Sequence, residues 1–199
     1  SKNMIKYSVV LIPNSFMWWI MNSSDRMMVS AMISVTANGV YAVAYKIPTL
    51  LSTITTIFNQ AWSYSAIRED ESEDKEEYNN RVYENLVTIV IVVATGLLMI
   101  MKPFLSVYVG KEYYTAWHYV PYLIVGFVFM TLGSFIATSY TVHKDSMGFL
   151  ISGTVGAIIN LILDFILIPM MGVSGAAFAT CISYFGVFVY RIKDTQKYI

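Results

Sequence analysis

The chain has 199 residues; 56% are hydrophobic, 15% aromatic and only 13% charged, and its 13 basic and 13 acidic residues cancel. That charge share is about half that of a soluble domain, which excludes a water-facing globule, and disorder is excluded because it needs low hydrophobicity and high net charge. Zero net charge gives no electrostatic reason to bind nucleic acid, and the single cysteine, Cys181, forms neither an internal disulfide nor a zinc cluster.

Charged residues are missing from 7–24, 27–45, 47–67, 85–101, 113–142, 146–163 and 165–190. A helix crosses a bilayer with about 20 mainly apolar residues, and these stretches are that long or nearly so. They recur along the whole chain, so a secretory signal does not explain them. The expected fold class is all-α: a polytopic membrane bundle of six transmembrane helices, a single unit over residues 1–199.

In chain order, the first span runs over about 7–34 and contains Asp25 and Arg26. The second, about 40–67, contains Lys46 and Pro48. The third, about 82–101, is expected to stop at Lys102-Pro103. The fourth covers about 117–142, the fifth 147–169 and the sixth 174–190. Gly39, Gly110 and Gly172 fall in connections, where turns need backbone freedom. Between the second and third spans lies a charged loop, 68–81, with seven acids: Glu69, Asp70, Glu71, Glu73, Asp74, Glu76 and Glu77. It reads as a solvated cytoplasmic segment.

Six spans put both termini on one side. With termini in the cytoplasm, the inner segments hold nine basic residues (Lys2, Lys6, Arg68, Lys75, Arg81, Lys144, Arg191, Lys193 and Lys197) against two outside, Lys102 and Lys111. Lys and Arg concentrate on the inner face, so termini inside are expected. Tyr113, Tyr114, Trp117, Tyr119 and Tyr122 then form an outer interfacial belt.

The first two spans differ from the rest. At 100° per residue, Asn14, Trp18, Asn22 and Asp25 share one helix face, with Arg26 at its edge. Tyr45, Thr49, Ser52, Thr56, Asn59, Gln60 and Ser63 form a second polar stripe, flanked by Lys46. Such stripes are costly in hydrocarbon and should face protein or water. The third span is rich in Val and Ile and is expected to face lipid. The fifth places Ser152, Gly156, Asn160 and Asp164 four residues apart, a pattern for close helix packing in which Asn160 and Asp164 stand out.

A charge at mid-span costs about 2.5–3.5 kcal/mol even on the milder scales, so Asp25, Arg26 and Lys46 are functional candidates. Asp25 and Arg26 point about 100° apart, which favours Asp25 meeting Lys46 on the facing helix. Cations above polar stripes describe a wet pocket for an anion, such as a pyrophosphate or acidic sugar, with Trp18, Tyr45 and Trp62 available to stack on sugar rings. Pro13 and Pro48 would kink these two helices. No nucleotide-binding, Ser-His-Asp or HExxH pattern occurs, and no cofactor is called for.

Leu11-Ile12-Pro13-Asn14-Ser15, Trp18-Trp19 and Asp25-Arg26 resemble the opening of the C-terminal half of polysaccharide flippases. The run from Gly39 to Pro48, then Phe58-Asn59-Gln60-Ala61-Trp62, resembles their next helix, and Gly172 to Thr180 their last loop and helix. Together these motifs resemble the Wzx-like branch of the multidrug/oligosaccharidyl-lipid/polysaccharide (MOP) superfamily. The resemblance implies two six-helix lobes around a cavity, of which this chain is the C-terminal one, its partner an N-terminal lobe upstream. It implies flipping of undecaprenyl-pyrophosphate-linked oligosaccharide across the bacterial inner membrane, for O-antigen, capsule or exopolysaccharide. Arg26 and Lys46 would then contact pyrophosphate or anionic glycan, with Asn14, Trp18, Asn22, Tyr45, Asn59, Gln60 and Trp62 lining the cavity, and Asp25 and Asp164 are the candidates for ion coupling. A cation-coupled small-molecule exporter of the same superfamily, and a membrane glycosyltransferase or polymerase, are the competing readings. The first would want an acidic cavity; the second, a longer catalytic loop than 68–81.

Overall fold

The computed structural model describes Trp19, residues 23–69 and residues 75–198. Expectations for Pro13, Asn14, Trp18 and Asn22, and for Asp70, Glu71, Glu73 and Asp74, lie outside those residues. Among the described residues the chain is all-helical. Residues 23–32 are helical and form α1. Then follow α2 (Val35–Glu69), α3 (Lys75–Tyr108), a 3-10 helix (Lys111–His118), α4 (Val120–Val142), α5 (Ser146–Met171), α6 (Val173–Thr195) and a last 3-10 turn (Gln196–Tyr198).

Local chemistry sets these limits. Ser34 Oγ accepts the Ala37 N–H at 3.1 Å, which caps the start of α2. Asp145 does the same for α5 by accepting the Gly148 N–H at 2.9 Å. Gly172 adopts φ +63°, a conformation that side chains resist, and separates α5 from α6 with no longer linker. The expected stop at Lys102-Pro103 does not occur: α3 runs through Pro103 to Tyr108. Leu97, Met101 and Leu105 are buried in one continuous stripe, so packing holds the helix past the residue that weakens it.

Four of these helices are long and apolar enough to cross a membrane: Glu77–Tyr108, Val120–Val142, Ser146–Met171 and Val173–Tyr198. The 35-residue α2, which carries Lys46 and a run of hydroxyl side chains, is not among them.

Helix α6 is the centre of the packing, between α4 and α5, and α2 lies on α4. Small residues allow the approach. A Cβ on Gly175 would fall 2.2 Å from the Leu167 carbonyl oxygen, so α5 and α6 meet backbone to backbone there. Side chains at Val29, Tyr41, Ile47, Leu51, Leu123, Ile124 and Tyr184 fill the interior. On α3 the stripe Leu86, Val90, Ala94 and Leu97 is buried, while Ile91, Val92, Met99 and Ile100 are exposed on the opposite side, as a lipid-facing helix requires.

Candidate functional site

The polar face of α2 opens on a hollow of about 830 Å³ within this one lobe. From α2, Tyr45, Lys46, Thr49, Ser52 and Asn59 line it; α1 adds Arg26, and α4 adds Ser134, Thr138 and Thr141. Asn59 Oδ1 is buried without a hydrogen-bond donor among the described residues. Phe127, Met130 and Phe149 supply apolar wall.

The third cation on this wall is Arg191 of α6. Counted in sequence with the basic residues of the inner segments, it is 1% exposed inside the bundle. Its Nε donates to Ser152 Oγ at 3.1 Å and its Nη1 to the Gly133 carbonyl at 2.9 Å, and its guanidinium lies 5.2 Å from the Phe149 ring centre. The physical reason is helix phase. Thr180, Tyr184, Val187 and Arg191 recur at intervals of four and three, and all are buried on one face.

Behind this wall lies an acidic centre. Asp25 is fully buried, and its Oδ2 accepts from Tyr41 Oη at 2.9 Å, from Tyr45 Oη at 3.3 Å and from Thr180 Oγ1. Asp164 of α5, also fully buried, lies against Asp25 within hydrogen-bonding reach. Four residues before it, Asn160 accepts from Ser24 Oγ at 2.9 Å. Asp25 Oδ1 and both Asp164 oxygens have no donor among the protein groups described. Two buried carboxyl groups side by side repel each other when both are charged. The ladder Ser152, Asn160, Asp164 on α5 therefore does more than pack: each residue meets a polar group of α1 or α6.

Of the residues expected in the pocket, Arg26, Lys46, Tyr45 and Asn59 are on its wall. Gln60 is exposed and off the wall. Trp62 is buried against Phe135, ring centres 5.0 Å apart, and lines a different cavity, because α2 has turned it towards α3 and α4. Asp25 does not meet Lys46. The lysine lies over the Tyr108 ring at 5.9 Å, while Asp25 turns inward to the hydroxyls and to Asp164. Asn14, Trp18 and Asn22 lie outside the described residues.

A family model described as "Polysaccharide biosynthesis protein" matches residues 1–118. No curated protein matches the chain. Among solved structures, the chain is similar to a point mutant of the Vibrio cholerae MATE transporter VcmN (TM-score 0.86, 16% identity, 98% of this chain and 46% of that one). It is also similar to VcmN in the bent form (TM-score 0.75, 19% identity, 96% and 47%). A third is a MOP superfamily transporter from Pyrococcus furiosus, described as having a binding pocket of reverse polarity (TM-score 0.79, 18% identity, 96% and 43%). The chain thus spans less than half the length of these transporters and reproduces the fold of one lobe. It belongs to the polysaccharide biosynthesis protein family and has the architecture of a MOP-type half-transporter.

Proposed function

We propose that this chain is one lobe of a flippase that moves an undecaprenyl-pyrophosphate-linked oligosaccharide across the bacterial inner membrane by alternating access. The observation that carries this reading is the convergence of Arg26, Lys46 and Arg191 on one polar hollow. Guanidinium and ammonium groups in a partly dry site hold phosphate oxygens strongly, and Arg does so with two parallel bonds. The family's part in polysaccharide biosynthesis supports a glycan-bearing anion as cargo. The same three charges would repel the cations that a multidrug exporter carries, so the exporter reading is the weaker one.

Asp25 and Asp164 supply the coupling site, taking up and releasing a proton or a monovalent cation. Tyr45 links the two regions, since its ring lines the hollow and its hydroxyl donates to Asp25. Loss of the bound ion would therefore be felt at the hollow wall. The missing half of the cavity is supplied by a second lobe, and the termini of this one lie in the cytoplasm.

Replacing Arg26 and Lys46 together by Ala in the full-length protein should abolish surface polysaccharide export while membrane insertion stays normal. Both side chains are exposed on the wall, so the fold should change by no more than about 0.5 kcal/mol. Normal export by an inserted double variant would overturn the reading.

A further inference from the structure

A second cavity, of about 470 Å³, lies between α2, α3, α4 and the end of α6, and its chemistry differs from that of the cationic hollow. Three rings build one wall. Trp62 stacks on Phe135 at 5.0 Å, and Tyr83 meets the same Phe135 at 5.3 Å. Around the rings stand the amides of Asn79, Asn80 and Gln196. Among the described residues no Asp, Glu, Lys or Arg lines this space. Trp62 is 6% exposed, and its indole N–H is buried with no acceptor among the described residues. Buried donors are rarely left unmade, so this one points to a ligand oxygen or a water. Thr138 of α4 is on the wall of both cavities, so the two adjoin.

Amides donate and accept at once, as sugar hydroxyls do, and aromatic faces match the apolar C–H faces of pyranose rings. Among the described residues a phosphate would meet no Lys or Arg here, only the His143 ring, and an acyl chain would leave the amides unpaired. We propose that the second cavity binds the uncharged sugars of a saccharide whose phosphate is held in the cationic hollow. This rests on reading that hollow as an anion site.

The test uses the full-length transporter in lipid nanodiscs and two probes: inorganic pyrophosphate, and the oligosaccharide diphosphate released from the lipid-linked unit that accumulates in a transporter-deficient host. The wild type should bind the oligosaccharide diphosphate at least roughly tenfold more tightly than pyrophosphate, as one or two added hydrogen bonds and a ring contact imply. Asn79→Ala with Asn80→Ala should remove that advantage and leave pyrophosphate binding unchanged, which also shows that the variant is folded. Trp62→Phe keeps a ring but not the N–H, and should lose roughly three- to tenfold for the saccharide probe alone. Arg26→Ala with Lys46→Ala should weaken both probes. Equal binding of the two probes by the wild type, or a full saccharide advantage in both second-cavity variants, would overturn the subsite and leave the anion site standing. Failure of pyrophosphate to bind the wild type would overturn the anion site, and the subsite with it.

Discussion

Asp25 and Arg26 are neighbours in sequence and opposites in environment. Arg26 is exposed on the wall of the hollow, whereas Asp25 is fully buried among tyrosine and threonine hydroxyls and a second carboxyl. One step of 100° along a helix separates a side chain open to the hollow from a carboxyl closed off among hydroxyls. Around the hollow, charge sign goes with degree of solvation. Cations line the accessible space and carboxylates lie behind it, with Tyr45 the side chain common to both.

Arg191 is the exception that sharpens this contrast, because it is a cation on the wall and yet buried. It should therefore behave unlike Arg26. Arg191→Ala removes bonds to Ser152 and Gly133 and packing on Phe149, and should cost roughly 3 kcal/mol of stability, since hydrogen bonds from a charged group contribute about 1.5–3 kcal/mol each. Export should fall as well. Thermal unfolding of the full-length protein checks this. A change as small as that expected of Arg26→Ala would mean that Arg191 is not part of the packed interior.

The carboxyl pair should respond in the opposite sense. In Asp164→Asn the amide donates an N–H to Asp25 and needs neither proton nor cation to be satisfied. The fold should gain about 1 kcal/mol, the worth of one hydrogen bond, while ion-driven export falls at least tenfold. Stability and activity moving apart is the signature of a functional site held at a structural cost. A variant that lost stability and kept export would break the comparison between the two regions.

The architecture was legible from long apolar runs and from polar stripes on α2, because hydrocarbon sorts residues by helix face. Tyr45, Lys46 and Asn59 could be placed on the hollow for that reason. Asp25 and Asp164 each stood out as an acid in a span, but nothing in their local sequence pairs them; that contact exists only once α5 and α6 close on α1. Arg191 ends an apolar run, and a count of basic residues does not show that it is buried. The missed signal was its phase with Thr180, Tyr184 and Val187. Trp62 lies near the edge of the polar stripe, and whether it turns to the hollow or to α3 is decided by packing on Phe135, a contact that spacing cannot reveal.

The smallest effect concerns the carboxylate outside the spans. Asp145, in the turn before α5, accepts from Tyr198, from the Gly148 N–H and from Lys197 at 3.0 Å. Burial alone would raise its carboxyl, but these donors outweigh it and hold the group at about 2. A carboxyl held below its ordinary value of about 3.9 contributes stability that is complete above that value and is lost as pH falls towards 2. The Asp145 side chain is 24% exposed and that of Lys197 45%, so solvent screening keeps the contribution to at most about 1 kcal/mol, or a few degrees in melting temperature. Asp145→Asn isolates it, because Asn caps a helix as well as Asp does. The wild type should melt about 2 °C above the variant at pH 6, and the gap should close as pH falls from 4 to 2. A gap that persists at pH 2 would assign the difference to the cap and not to the charge of Asp145.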